Sequence, residues 1–371
     1  MCKVNIIART TNMQTLYDSI IIGGGPAGLS TALGLARQNR KSVVISHQVY
    51  RNDGIEASHA VLGHDHIHPQ TILERARKQI ERYRCVSYAQ SEVVSARKVP
   101  LKQWNNHDGF VVETNSGEVF TGKTLMLATG VRDVFPDLEG YQQNWPRNIY
   151  QCLFCDGWER RYKQKGILVS GSMMPLEHVT EMALGLDQTR NHDGSAKVTI
   201  LSDGPFNLDQ PDEKQRDGLK GCFARGVKVD RRKVVKLEDA VDQEGIYVHL
   251  EDAATGEVGR VFFGFLVHKP KIELNAQHLV EEFGLETSDG MVGKFLKTTF
   301  PTQQTNIAGI YAAGDSGAVM THFTVAVTSG VQAAGGITGY LNSMESQDAL
   351  AGTDGSNMQS NSGEIETGCH N

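Results

Sequence analysis

The stretch S-I-I-I-G-G-G-P-A-G-L-S-T-A-L-G-L-A-R-Q, residues 19–38, decides the fold. Residues 19–22 form an apolar run bounded by glycines, the pattern of a buried strand. Residues 29–38 carry Leu29, Leu33 and Ala36 at helical spacing, and a second strand is expected over 42–46. Strand, glycine turn, helix and strand in that order form the setting in which G-x-G-x-x-G specifies a dinucleotide site. Gly23 permits the tight turn and Gly25 lets the backbone approach a pyrophosphate. The helix N-terminus stabilises that anion with free N–H groups and its dipole. Gly28 lets helix and strand pack closely, and Pro26 and Ala27 complete the candidate cofactor-binding turn. One element departs from the pattern. The second strand ends V-V-I-S-H-Q, so Ser46 and His47 stand where a carboxylate usually holds the adenosine ribose.

Outward from this unit, a helix is expected over 70–83 and strands over 93–98, 110–114 and 124–128. The last of these runs into T-G-V-R, with Gly130 in the turn. A second strand–helix unit is expected from 166–170, with strands at 198–201 and 227–229 and a hairpin within 234–250. A strand at 309–313 leads into G-D-S-G and a helix over 323–341. After Asn342 the sequence is polar and low in complexity, and 343–371 is expected to be a disordered tail.

Composition excludes several classes. The chain has 371 residues, 39% of them hydrophobic and 22% charged, with a formal net charge of −6. This is a soluble balance that suits two domains and gives no reason to expect nucleic acid or a membrane as partner. No apolar run is long enough for a membrane span, and the N-terminus lacks a signal-peptide pattern. The expected location is cytoplasmic. Six cysteines in so long a chain do not suggest a disulfide scaffold. Only Cys152 and Cys155, in Q-C-L-F-C-D-G-W-E (151–159), lie close together. Their spacing fits a redox pair, half of a metal site, or two buried thiols. No second ligand pair is present to complete a zinc site. The run H-A-V-L-G-H-D-H-I-H (59–68) offers His59, His64, His66 and His68, but no metal is expected there.

Three motifs stand in fixed order: G-G-G-P-A-G at 23–28, C-L-F-C-D-G at 152–157 and G-I-Y-A-A-G-D at 309–315. L-A-T-G-V-R-D at 127–133 adds a fourth. Together they resemble the low-molecular-weight thioredoxin reductase family of FAD-dependent disulfide oxidoreductases, over about residues 17–342. The resemblance implies an α/β fold of two Rossmann-like three-layer domains. A discontinuous FAD-binding domain (17–135 and 272–342) would follow an N-terminal extension (1–16). It would enclose a central NAD(P)-like domain (136–271) that carries the C-x-x-C pair. FAD would be held by the first glycine turn, Arg51, Asn52, Gly130, Gly314 and Asp315. Cys152 and Cys155 would form the redox disulfide, with Cys155 nearer the flavin and Asp156 exchanging protons. A C-x-x-C at a helix start would favour the thiolate. A homodimer is expected.

The sequence departs from that family at the second nucleotide site. The turn after 166–170 reads G-S-M-M-P-L, placing Met173 where a glycine is needed and Pro175 where an N–H is needed. The strand at 198–201 runs into S-D-G-P-F-N-L-D-Q, with Asp203 and Asp209 where arginines should meet a 2′-phosphate. NADPH binding is therefore not expected. Electrons would enter from a small-molecule dithiol and leave to molecular oxygen, which resembles the gliotoxin-type dithiol oxidases. Those often carry a histidine directly after the second cysteine, where this chain has Asp156. His322 is the candidate replacement base. The competing expectations are an NADPH-dependent disulfide reductase and a degenerate flavoprotein with a binding role. Cys369 is expected to be a free thiol.

Overall fold

The computed structural model describes residues 15–51, 53–169, 175–187, 197–203 and 213–352, without the side chains of 214 and 215. The first strand, Leu16–Ile22, pairs in parallel with Ser42–Ile45 on one side and Val119–Leu127 on the other. The sheet extends through Val86–Ala89 at one edge and through His107–Thr114 and Val93–Leu101 at the other. Val119–Leu127 is shared along its length. Its first half pairs with His107–Thr114, and its second half pairs in parallel with Ile310–Ala312. A strand from near the C-terminus thus completes the sheet begun at residue 16. Register sets Ile22 opposite Ile45 and Leu127, and Leu127 opposite Ala312. The carboxyl ends of these strands end level, so the loops leaving them face one cleft, where open α/β sheets place their ligands.

The strands are buried on both faces, as parallel sheets require. Ile20, Ile21, Val43, Leu125 and Met126 are fully inaccessible. One face is covered by the helices Pro26–Arg37 and Phe323–Gly352, which touch through small residues. A Cβ on Gly330 would lie 2.3 Å from the Ala27 carbonyl oxygen, so only glycine allows this approach. The Thr31 hydroxyl donates to the Gly330 carbonyl at 3.0 Å across the same contact.

A second, parallel sheet runs in the order Lys228–Asp230, Val198–Leu201, Lys165–Leu168, Phe265–Val267, Ile149–Tyr150. One face packs on the helices Leu176–Leu186 and Glu213–Ala224, through Val179, Ala183 and Cys222. The other packs on an antiparallel sheet of Lys233–Asp239, Ile246–Glu251 and Val258–Phe263 through Leu237, Val248 and Phe263. The hairpin expected within 234–250 is there, with a third strand beyond it. The two units are joined by an antiparallel pair, Val131–Val134 with Lys271–Leu274. The molecule is a mixed α/β protein with two Rossmann-like sheets.

The expected disorder after Asn342 is corrected over ten residues, because the last helix runs on to Gly352. Tertiary contacts stabilise this polar extension. The Arg40 guanidinium forks onto the Glu345 carboxylate, Asp348 accepts from the His107 ring, and Met344 packs on the core. Among the described residues, no helix is long and apolar enough to cross a membrane.

Candidate active site

The loops at the strand ends open onto one cleft of about 1810 Å³. The first glycine turn, Gly130, Gly314 and Asp315 line it, as do both cysteines of the C-x-x-C pair and His59, Asp156 and His322. In the glycine turn, Gly23 has φ +112° and a Cβ there would strike the Ala128 carbonyl oxygen at 2.1 Å. A Cβ on Gly28 would strike the Gly23 carbonyl oxygen at 2.0 Å. A Cβ on Gly25 meets nothing within 4 Å; it would fill open cleft instead. Gly25 caps the helix without a side-chain bond, and Pro26 and Ala27 open it with no acidic residue in the first turn. This donor set suits a pyrophosphate, so the residues present fit a dinucleotide such as FAD.

At the second strand's end, the Ser46 hydroxyl accepts from the Gln48 N–H and the His47 ring from the Val49 N–H. Both side chains shape their own turn beside the cleft. Arg51 is committed more deeply. It donates to both oxygens of Asp133 (3.0 and 2.6 Å), to Asp315 Oδ2 (3.0 Å) and to Gln151 Oε1 (2.7 Å). Burial alone would lower its pKa, but the Asp133 and Asp315 carboxylates hold it above the ordinary arginine value. Arg51 therefore ties the end of the last strand to the residue before Cys152. Gly314 bonds through its N–H to Ser329 Oγ, which fixes Asp315 in a single 3₁₀ turn, Gly314–Ser316. Asn52 lies outside the described residues, as do Met173 and Asp209.

Cys152 and Cys155 are joined as a disulfide. The expected helix start is corrected here, because residues 151–161 form turns without a helix. The N–H groups of Cys155 and Asp156 both bond the Cys152 carbonyl, at 3.2 and 3.1 Å. Leu153 packs inward against the second sheet's core while Phe154 is 83% exposed. Trp158 is also exposed, with the Arg161 guanidinium 3.7 Å above its ring. The disulfide thus shares its cleft with two exposed aromatic side chains.

Asp156 faces a histidine of a different segment. Its Oδ1 lies 4.0 Å from His59 Nδ1, and burial raises its pKa from 3.8 to about 6, with His59 opposing and Glu159 adding to the rise. His59 Nδ1 lies 2.5 Å from the Cys155 carbonyl oxygen and its Nε2 3.5 Å from Glu159 Oε1. Sequence reasoning placed His59 only within a histidine-rich run. The signal it lacked was the contact across 96 residues that brings this run onto the C-x-x-C turn. The run itself splits up: His68 caps the helix Pro69–Glu81 by accepting from the Gln70 N–H. His59, His66 and Glu159 are the described groups close enough to share a metal ion. His322 lines the same cleft, but its Nδ1 is engaged by the Thr324 hydroxyl and N–H at the start of the last helix.

At the second sheet, Pro175 precedes the helix Leu176–Leu186, which carries Glu177 in its first turn. Asp203 accepts from the Val234 N–H, Arg232 is paired with Asp230, and Arg160 bonds Asn148 and the Gly264 carbonyl.

Comparison with known proteins agrees with this architecture. The model of the pyridine nucleotide-disulphide oxidoreductase family matches residues 17–330. Thioredoxin reductase tcpT of Claviceps purpurea is 34% identical over 85% of this chain and 92% of its own length. Thioredoxin reductase sirT of Leptosphaeria maculans is 32% identical over 87% and 94% respectively. The crystal structure of an oxidoreductase from Agrobacterium tumefaciens superposes with a TM-score of 0.74 at 27% identity, covering 88% of this chain and 99% of that one. The match across 17–330, with the Cys152–Cys155 disulfide and a glycine turn facing one cleft, makes this chain a thioredoxin reductase-like member of the pyridine nucleotide-disulphide oxidoreductase family.

Proposed function

We propose that the protein is an FAD-dependent dithiol oxidase that closes a disulfide in a small apolar dithiol, of the kind found in epidithiodiketopiperazine metabolites. The observation that carries the reading is the Cys152–Cys155 disulfide lying in one cleft with the glycine turn and two exposed aromatic side chains. Phe154 and Trp158 offer a compact apolar molecule a surface beside the sulfurs. Support for the direction comes from the second nucleotide turn. Asp203 and the arginines Arg160 and Arg232 already have partners, and the sequence supplies no arginine directly after Val198–Leu201.

The glycine turn and the first helix would hold the pyrophosphate of FAD, with Asp315 placed by Arg51 at the other strand end. FAD, when bound, takes electrons in pairs from thiols and passes them to molecular oxygen, giving hydrogen peroxide. The protein residues handle the exchange that precedes this. A substrate thiolate attacks Cys152 Sγ, the Cys152–Cys155 bond breaks, and Cys155 leaves as a thiolate. The second substrate thiolate then attacks the substrate sulfur of the mixed disulfide, forming the product disulfide and releasing Cys152. Arg51 holds Gln151, and so the approach of Cys152, in place.

The names carried by the Claviceps and Leptosphaeria relatives favour a second reading, an NADPH-dependent disulfide reductase. Oxygen uptake driven by dithiothreitol separates the two. The oxidase reading expects one peroxide per dithiol, and loss of uptake in both Cys152→Ser and Cys155→Ser. Full uptake in either variant contradicts the disulfide relay.

A further inference from the structure

Dithiol exchange has a proton problem that the cysteines do not solve. A neutral thiol must lose its proton to attack, and the departing Cys155 thiolate needs a compensating charge. Helix starts supply that charge in many C-x-x-C sites, but this turn has no helix. Asp156 adds negative charge when ionised. The cleft needs a group that takes a proton and becomes positive.

His59 meets that need by geometry. A carbonyl oxygen only accepts, so the 2.5 Å contact with the Cys155 carbonyl requires the proton on Nδ1. That bond fixes the tautomer and leaves Nε2 as the bare nitrogen of the neutral ring. Nε2 faces Glu159 Oε1 at 3.5 Å, and Asp156 Oδ1 lies 4.0 Å from Nδ1. A further neighbour is His66, whose ring meets His59 edge-on at 4.7 Å and itself pairs with Asp65 at 3.3 Å. A proton arriving at Nε2 completes a hydrogen bond to Glu159 and leaves the ring cationic between two carboxylates.

We propose that His59 is the proton acceptor of the exchange at Cys152–Cys155, keeping Nδ1–H on the Cys155 carbonyl while Nε2 loads the proton given up by the substrate thiol. The inference rests on the dithiol reading only as far as thiol–disulfide exchange at this pair. The balance is closed. The first substrate thiol gives its proton to Nε2, directly or through Glu159, and the imidazolium offsets the new Cys155 thiolate. The second substrate thiol gives its proton to Cys152 Sγ as the mixed disulfide breaks. The substrate has lost two electrons and two protons. The enzyme holds a thiol, a thiolate and a protonated His59. Glu159, half exposed, connects Nε2 with solvent.

The test follows reduction of the disulfide by dithiothreitol in the purified flavoprotein without oxygen. The reaction is quenched by alkylation, and the peptide carrying Cys152 and Cys155 is weighed. His59→Asn keeps a donor for the Cys155 carbonyl and removes Nε2. Its exchange is expected to slow about 10²-fold and to lose the fall in relative rate toward acid pH that the proposal expects of wild type. Glu159→Gln is expected to slow exchange about 3-fold to 10-fold, at the low end for proton-transfer groups. Imidazole added to His59→Ala should restore the rate by about tenfold or more, an effect a purely structural role would not give. His59→Asn reacting at the wild-type rate with the same pH profile, or His59→Ala unmoved by imidazole, overturns the proposal. Because the quench precedes any reaction with oxygen or NADPH, failure of the oxidase reading would leave this result intact.

Discussion

Two strand-to-helix junctions in this molecule occupy equivalent places and have opposite chemistry. At the first, Gly25 leaves open space at the helix start and the first turn carries no acid. At the second, Pro175 precedes the helix Leu176–Leu186, contributes no N–H, and is followed by Glu177. A carboxylate in the first turn satisfies the helix dipole and repels a phosphate. Under the proposed function the same fold unit serves once for an anion and once for packing, and the two first turns differ as that reading requires.

Substitution at the junctions breaks the comparison most strongly. Gly25→Val puts a side chain where the cofactor's pyrophosphate is expected. Overpacking costs about 1–3 kcal/mol, so flavin affinity should fall roughly tenfold to a hundredfold. Pro175→Val should leave flavin content unchanged. Absorbance of the purified variants measures both, and equal flavin loss would remove the asymmetry.

The next effect concerns Asp156. Its pKa is raised from 3.8 to about 6, chiefly by burial, so the folded state binds this proton more tightly than the unfolded chain. Its stabilising contribution is complete below about pH 4 and is lost as pH rises to about 6. Asp156→Asn, which mimics the protonated form, should therefore raise stability at pH 7 by up to about 3 kcal/mol, at about 1.4 kcal/mol per pKa unit. The gain should vanish near pH 4, as denaturant melts at both pH values would reveal. Gly330→Ala should cost about 1–3 kcal/mol by forcing the first and last helices apart. Arg40→Ala, which frees the half-exposed Glu345, should cost less than about 1 kcal/mol.

The glycine turn, the cysteine pair and most strands of the two sheets were legible in the sequence, because each is a local pattern, whereas the short strands Val86–Ala89, Ile149–Tyr150 and Phe265–Val267 were not expected. The strand expected at 19–22 begins earlier, at Leu16, and the one expected at 309–313 is Ile310–Ala312, small shifts at boundaries. The polar end of the last helix was not legible. Its stabilising partners, Arg40 and His107, stand more than two hundred residues away. The site was half legible for the same reason. Cys152, Cys155 and Asp156 announce themselves by spacing, whereas Arg51 acquires Asp133, Gln151 and Asp315 only through the fold. His322 was legible as a histidine near the cleft, but its Nδ1 turned out to cap a helix start. His59, hidden in a histidine run, is the one in contact with the C-x-x-C turn.

The direction of electron flow is the central claim, and anaerobic titration of the flavin absorbance tests it most directly. The account predicts that one equivalent of dithiothreitol bleaches the flavin, that air restores it with release of hydrogen peroxide, and that NADPH leaves it unbleached. Rapid bleaching by one equivalent of NADPH would contradict it.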